Sequence, residues 1–166
     1  TMTEALRTAN ATVLRHAREN EEMNGMGTTF VAATVFPDRT YVMNVGDSRL
    51  YLLGDEMKQV TVDHSYVEEM VRKGEIQRKD ARIHPKKNVI TRAVGVEENV
   101  EADFYEIETG DDSDFLLLCT DGLTNMVEDD EIRHMVMKYA NAPQDAVQKL
   151  VKKANEYGGK DNISII

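Results

Sequence analysis

The sequence predicts one α+β domain in which helices pack on antiparallel sheets. Short strand-like apolar runs follow one another between tight turns in the first half of the chain, whereas helical periodicity marks its beginning and its last third. Strand runs and helix runs are thus segregated rather than alternating, which argues against a parallel βαβ arrangement. A length of 166 residues suits one domain with its own core.

The first half of the chain predicts a helix followed by a meander. Apolar side chains recur at helical spacing from Leu6 to Ala17, which predicts a helix over residues 3–20 with Thr3 as its cap. The strand-like runs that follow are separated by turn residues, so we expect neighbouring strands to pair in sequence order. These runs cover residues 28–36, 41–45, 50–53 and 58–62.

The second half mixes both patterns and ends in a strand. Residues 74–87 are polar with both signs of charge, which indicates a short helix or a surface flap. The acidic cluster Asp111, Asp112 and Asp114 lacks the spacing of a calcium loop, so we expect a solvated turn there. Helices are predicted over residues 66–73, 132–139 and 143–154, with Pro143 at a helix start, and strands over residues 89–94, 102–107, 115–120 and 162–166.

Composition excludes several classes of function. The net charge is −10 and no basic stripe is present, so nucleic acid is not expected as a partner. No apolar stretch approaches the roughly 18 residues that a membrane span needs, and the polar, helical start does not resemble a signal peptide. The single cysteine permits no intramolecular disulfide, so we expect a reducing, cytoplasmic location.

Residues 115–125, which read FLLLCTDGLTN, carry the strongest chemical signal. The unbroken apolar run predicts a strand buried on both faces, with Asp121 at its mouth and Gly122 allowing a sharp turn. On this fragment alone, Asp121 is either the cap of the next helix or a ligand. A second acid, Asp161, enters another apolar run after a double-glycine turn. Two acids at the polar ends of buried strands predict a site for a hard cation such as Mg²⁺ or Mn²⁺.

Other uses of these residues fail on spacing. Phosphatases with an aspartyl nucleophile carry it two residues before the Asp-Gly pair, where this chain has Cys119. Cysteine phosphatases need an arginine six residues after the cysteine, where this chain has Asn125. Cys119 is therefore expected to be a core residue. Residues 25–29 lack the lysine and the following helix of a phosphate-binding loop, and Asp47 is interpreted as a hairpin turn residue.

Six phrases, taken together and in order, resemble one family. They are MGTTFVAA (26–33), VGDSRLYLL (45–53), VTVDHSYV (60–67), HPKKNVITRAVG (84–95), FLLLCTDGLTN (115–125) and GGKDNISII (158–166). This pattern resembles the metal-dependent protein phosphatases of the PP2C type, most closely the bacterial serine/threonine phosphatases. The resemblance extends over nearly the whole chain.

The resemblance implies a fold and a metal site. The implied fold is a four-layer α-β-β-α sandwich of two antiparallel sheets flanked by helices, with a binuclear Mn²⁺ or Mg²⁺ site at one end. Asp121 and Asp161 match metal ligands of the family, and Asp63 matches the acid that helps to hold a third metal in bacterial members. Residues expected beside the ligands are Gly122, Asn162 and His64. Residues 73–88 match the variable flap beside the site.

The implied activity is hydrolysis of phosphoserine and phosphothreonine in proteins by a metal-activated water, with the phosphoprotein products of a serine/threonine kinase as substrates. The alternative is a non-catalytic relative that binds or scaffolds a partner protein. The family's phosphate-gripping arginine and its Asp-Gly-Met-Gly-Gly motif have no counterpart in these residues, and residues 24–27 are not that motif. We therefore expect residues 1–166 to be an N-terminally truncated domain, weakly active or inactive alone, that dimerises through an exposed sheet edge.

Overall fold

Helices and two antiparallel sheets form four layers in the computed structural model, which describes residues 1–109 and 115–166. The expected turn at Asp111, Asp112 and Asp114 lies outside the described residues. The helices are α1 (Met2–Glu19), α2 (Tyr66–Arg72), α3 (Arg78–Ala81), α4 (Asp121–Thr124), α5 (Asp129–Lys138) and α6 (Pro143–Glu156). The strands are β1 (Phe30–Val35), β2 (Arg39–Val45), β3 (Arg49–Leu53), β4 (Met57–Gln59), β5 (Asp103–Glu108) and β6 (Phe115–Cys119).

Helix α1 is the first outer layer. It begins at Met2 because Thr1, rather than the predicted Thr3, is the cap. The Thr1 hydroxyl accepts the Glu4 N–H at 3.3 Å, and the Glu4 carboxylate accepts from the Thr1 backbone nitrogen, which completes a capping box. Leu6 on its inner face packs against Met43 of β2. Helix α1 thereby covers the outer face of the first sheet.

The two sheets pack face to face in the middle of the molecule. The first has the order β1-β2-β5 and the second β4-β3-β6, with every pair antiparallel. Alternation along β2 and β3 sends Val42 and Leu50 into the same buried cluster between the sheets. The residues that pack around this cluster include Val31, Ala33, Leu52, Tyr105, Ile107, Leu116 and Leu118.

Helices α4, α5 and α6 cover the outer face of the second sheet. Leu117 and Cys119 of β6 point into this helical layer, whereas Leu116 and Leu118 contact the cluster between the sheets. The prediction of a strand buried on both faces is therefore confirmed for the face toward the helices, whereas Leu116 and Leu118 on the other face are only partly buried. The fully buried residues of the core between the second sheet and these helices are Tyr51, Leu53, Leu123, Val127, Ile132, Leu150 and Ala154.

The predicted meander is wrong between β2 and β3. These strands are consecutive in the sequence, but they lie in different sheets, and β3 pairs with β4 and β6 instead. Gly46, with φ of 104°, lies at the point where the chain crosses from one sheet to the other. Turn residues indicate that a strand ends, but they do not determine which strand it pairs with.

Two further predicted strands are reduced to single bridges. Residues 89–94 contribute only the bridges Ser65↔Ile90 and Thr28↔Val94. Residues 162–166 contribute the bridge Cys119↔Ile165, although Leu118 and Ile166 exchange both backbone hydrogen bonds at 2.9 Å. The closing segment therefore does add to β6, over a shorter stretch than predicted. No helix within the described ranges is long and apolar enough to cross a membrane.

Candidate active site

A cavity of about 870 Å³ opens at one end of the stacked sheets, bordered by the flap that carries α3 and by the start of α5. Its wall contains both acids and bases. The acids are Asp47, Asp63, Glu68, Asp121, Glu128, Asp129 and Asp130, and the bases are Arg49, Arg78, Lys79, Arg82 and Lys87. Such a wall suits a ligand that combines negative charge with a cation.

Asp121 is the first residue of α4, directly after β6. Thr120, not Asp121, occupies the capping position, so the interpretation of Asp121 as a helix cap is wrong. One Asp121 oxygen accepts the Asn125 side-chain amide at 2.9 Å. Burial and then the charge of Asp161 raise the pKa of the Asp121 carboxyl above its ordinary value. Two acids 40 positions apart in the chain therefore act on each other.

Backbone contacts bring the Asp161 segment to the end of β6. The Thr120 hydroxyl donates to the Asn162 carbonyl at 3.1 Å and accepts the Ser164 N–H at 3.0 Å. A side chain at Gly122 would overlap the Asn162 carbonyl, so the close approach of the two segments requires glycine. Asp161 itself is exposed and accepts the Asn162 N–H at 2.8 Å. Gly122 and Asn162 are therefore in contact at the end of β6, and Asp161 lies near enough for its charge to raise the pKa of Asp121.

Asp47 joins this site, although its motif indicated only a turn. The crossing at Gly46 directs it into the cavity wall. Burial, followed by the charges of Asp121 and Asp63, raises the pKa of the Asp47 carboxyl to about 6. The interpretation as a hairpin turn residue is wrong because β2 and β3 do not form a hairpin.

Asp63 lies in the same wall, but its carboxylate is already paired. Arg49 donates to both Asp63 oxygens, with the shortest distance 2.7 Å, and Gln59 donates to one of them at 3.0 Å. Arg49 also donates to the hydroxyl of Tyr51 at 2.9 Å. These bonds commit most of the acceptor capacity of Asp63 within the protein.

His64 is buried and contacts the crossing rather than the cavity. Its Nδ1 atom accepts the Gly46 N–H at 3.0 Å, and its Nε2 atom lies 3.1 Å from a carboxylate oxygen of Asp103. It therefore lies behind Asp47, through the neighbouring Gly46.

The chemistry of the acids fits a hard cation. Asp47 and Asp121 have raised pKa values because they are half-buried close to other carboxylates, and a divalent cation would relieve that repulsion. Over residues 1–109 and 115–166, no set of three or more His, Cys, Asp or Glu side chains is gathered closely enough to hold a metal ion. The raised pKa values thus identify pairs of acids rather than a finished coordination shell.

The lone cysteine takes no part in this chemistry. Cys119 is buried in the helical layer, as predicted. Burial raises the pKa of its thiol to about 12, so the thiol keeps its proton at neutral pH. A cysteine-phosphatase mechanism is excluded on this ground as well as on spacing.

Stacked antiparallel sheets between helices, with carboxylates at the strand ends, define the class of metal-dependent protein phosphatases, and comparison with known proteins agrees. The family described as Protein phosphatase 2C matches residues 2–163, and the chain belongs to that family. It is 45% identical over 158 residues to the serine/threonine phosphatase stp of Listeria innocua, a match that covers 95% of this chain and 62% of that protein.

Solved structures show the same fold. A serine/threonine phosphatase of S. agalactiae matches with a TM-score of 0.91 and 33% identity, over 99% of this chain and 67% of that one. The catalytic domain of the serine/threonine phosphatase PstP, in complex with two manganese ions, matches with a TM-score of 0.84 and 30% identity, over 96% of this chain and 65% of that one. The four-layer fold expected from the resemblance is therefore confirmed.

Proposed function

We propose that this chain is part of an enzyme that hydrolyses phosphoserine and phosphothreonine in proteins with the help of Mn²⁺ or Mg²⁺. The observation that carries the proposal is the packing of Asn162 against Thr120 and Gly122 at the end of β6. This packing places the neighbouring Asp161 near enough for its charge to raise the pKa of Asp121. The named activity of the Listeria relative supports the choice of reaction. The chain spans 62% of that relative, so the activity is proposed for the whole gene product.

The acids would hold the cations, two in number with a third more weakly bound. Asp121 and Asp161 are the first candidates, and Asp47 is a further one because its carboxyl lies close enough to Asp121 for the charge to raise its pKa. Asp63 stays a predicted ligand, although its pairing with Arg49 competes with a metal. Bound divalent cations would acidify a water and neutralise the phosphate, which removes the main electrostatic barrier to hydrolysis.

The rim of the cavity supports a phosphorylated protein as substrate. The flap contributes Arg78, Lys79, Arg82 and Lys87 to the wall. Arg78 and Arg82 are paired with carboxylates, so Lys79 and Lys87 supply the positive charge that attracts a phosphate dianion. The cavity is open rather than enclosed, so a side chain on a protein loop can enter it. We propose phosphoproteins made by a serine/threonine kinase as the substrates, and a cytoplasmic location, which the single buried cysteine supports.

The test compares Asp121→Asn with wild type in the whole gene product. Turnover of a phosphothreonine peptide with Mn²⁺ should fall by a factor on the order of 100 or more, because a metal ligand is lost. Asp145→Asn, an exposed acid in the first turn of α6, is the matched control and should keep wild-type turnover. A phosphotyrosine peptide should be a poor substrate throughout.

Two outcomes would contradict the proposal. Equal turnover in the Asp121→Asn and wild-type proteins would remove Asp121 from the chemistry. A gene product that binds phosphopeptide but never releases phosphate, with Mn²⁺ or with Mg²⁺, would support the non-catalytic alternative instead.

A further inference from the structure

The crossing between the sheets, residues 46–48, is held by hydrogen bonds on both sides of Asp47. The Gly46 N–H donates to Nδ1 of His64 at 3.0 Å, and the Gly46 carbonyl accepts the His64 N–H at 3.0 Å and the Asn44 side-chain amide at 3.2 Å. One residue beyond Asp47, the Ser48 hydroxyl lies 2.9 Å from the Thr29 hydroxyl. The residue in the middle, Asp47, is therefore presented to the cavity by a backbone that has little freedom.

The imidazole of His64 is itself held in one orientation. Its Nδ1 atom accepts a hydrogen bond, so in the neutral ring the proton is on Nε2, which donates to Asp103 at 3.1 Å. Arg92 donates to the other Asp103 oxygen at 2.8 Å and to the Glu101 carbonyl at 3.3 Å, and its Nη1 atom also lies 3.0 Å from Nε2 of His64. The side chain of His64 is only 7% exposed, so water has little access to the ring. Carboxylate, imidazole and peptide N–H thus form one connected chain that ends at the crossing.

We propose that His64 is a positioning residue for the cation site: through the Gly46 N–H it fixes the crossing and holds Asp47 facing Asp121. This inference rests on the proposed function. Asp47 and Asp121 repel each other when both are charged, and a loose crossing would let them move apart. A crossing held by His64 keeps both carboxylates in place before any cation arrives, so binding needs less rearrangement. Partners of this kind behind metal ligands are worth roughly 10- to 100-fold in metal affinity.

The test replaces His64 with two amide side chains, only one of which can accept the hydrogen bond from the Gly46 N–H. His64→Asn puts an oxygen near the position of Nδ1 and keeps the bond to Gly46, whereas His64→Gln puts its amide near the position of Nε2 and loses that bond. With Mn²⁺ binding to the whole gene product measured by titration calorimetry, His64→Gln should weaken binding by roughly tenfold or more. His64→Asn should stay within about threefold of wild type, since the Gly46 bond survives. His134→Gln, at an exposed position of α5, is the matched control and should bind like wild type.

Hydrogen exchange of the Gly46 amide gives a readout that needs no metal. In the presence of a chelator, exchange should be faster in His64→Gln than in wild type and close to wild type in His64→Asn. Asp103→Asn, which keeps the shape of the side chain but removes its charge, should lie between them and replaces His64→Gln if that variant does not fold.

The outcomes distinguish the proposed cation site from the positioning role of His64. Wild type that binds no Mn²⁺ would overturn the proposed cation site, and with it this role of His64, whatever the exchange rates are. Wild type that binds Mn²⁺ while His64→Gln binds equally well would overturn the role of His64 alone. Equal Gly46 exchange in the two amide variants would do the same.

Discussion

At the scale of residues, the acids of the cavity destabilise one another until something neutralises them. Asp121 is central to this repulsion, since Asp161 raises its pKa and Asp121 in turn raises the pKa of Asp47. Arg49 is a partly buried cation in the same wall, but it is paired with Asp63. A site that is strained by like charge and relieved by a cation is ready to bind one.

Asp47→Asn should stabilise the fold at neutral pH without metal and should destabilise it, relative to wild type, when Mn²⁺ is bound. The pKa of Asp47 is about 6 in the folded chain against an ordinary value of 3.8, so the folded state binds this proton more tightly than the unfolded state does. Wild type should therefore lose stability as pH rises through the window between these values, and Asp47→Asn should not. In chelator at pH 7.5, we expect the variant to melt a few degrees above wild type.

With saturating Mn²⁺, the order should invert, because wild type gains the free energy of binding and the variant gains less. Thermal melts from pH 4 to pH 8, with and without Mn²⁺, measure both effects. Parallel stability curves for the two proteins in chelator would show that Asp47 does not carry the raised pKa.

Gly122→Ala should separate the two acids without removing either. The added methyl group would overlap the Asn162 carbonyl, so the closing segment must shift, at a cost of about 1–3 kcal/mol. Mn²⁺ affinity should fall with it. Gly74→Ala is the control: it adds a methyl group in open space at φ of 74°, so it costs stability through backbone strain but should leave Mn²⁺ affinity unchanged. Equal Mn²⁺ affinity in the two variants would contradict this role for Gly122.

The sequence singled out Asp121 and Asp161 as candidate ligands but not Asp47, for a physical reason. Asp47, like Asp121, lies next to a glycine at the end of a mainly apolar run, and this shared pattern was available as a signal. For Asp47 it was outweighed by the short spacing between β2 and β3, which is typical of a hairpin. Whether the chain folds back or crosses to another sheet depends on distant packing, which a local motif does not contain.

At the scale of elements, the flap is fastened to the body by two unequal ion pairs. Arg78 of α3 pairs with Glu68 of α2, whose side chain is 9% exposed, and Arg82 pairs with Glu128 before α5 at 2.8 Å, where Glu128 is 71% exposed. The first pair is charge-assisted and two-pronged, whereas the second is largely screened by water. The pair at Glu68 should therefore be the main restraint on the flap.

Glu68→Gln should free the flap far more than Glu128→Gln. Glu68 is 9% exposed but Arg78 is 64% exposed, so we expect a loss of about 1 kcal/mol at this half-buried pair. That loss corresponds to roughly fivefold faster trypsin cleavage within residues 74–87, and Glu128→Gln should change the rate by about twofold or less. The two variants make the same chemical change in the partners of Arg78 and Arg82, so each is the control for the other. Similar cleavage rates for the two would show that burial of Glu68 contributes nothing.

Elements with local causes were predicted well, and elements with distant causes were not. Helices α2 and α6 follow from their apolar periodicity and from Pro143, and their ends lie close to the predicted ones. Residues 89–94 have the composition of a strand but meet only one partner residue at a time, at Ser65 and at Thr28. Strand composition shows that a segment is fit to pair, but the tertiary fold determines whether a neighbour lies alongside.

At the scale of the whole molecule, the first sheet has two edge strands, β1 and β5, and neither has a second strand partner within the described residues. β1 pairs with β2 on one side, and Val35 and Phe36 at its end are 62% and 48% exposed. An exposed edge with apolar side chains pairs readily with another chain. We expect this polypeptide to self-associate through β1 as its concentration rises.

Val35→Lys should suppress that association, because a charge on an edge strand opposes pairing with a second copy. Light scattering over a wide concentration range measures the mass of wild type and variant. Val96→Lys, at another exposed valine outside the strands, is the control and should associate like wild type. Monomeric wild type at every concentration would contradict the prediction.

The contacts of Thr120 have a consequence for unfolding. Thr120 and Asn162 are 42 residues apart, and the helices α5 and α6 lie between them. A cation shared by Asp121 and Asp161 would act as a reversible cross-link at the neck of this loop, which lowers the entropy that the loop gains when it opens. Bound metal would then also determine how the last third of the polypeptide unfolds. Without metal this segment would unfold locally, before the sheets, and with metal it would unfold cooperatively with them.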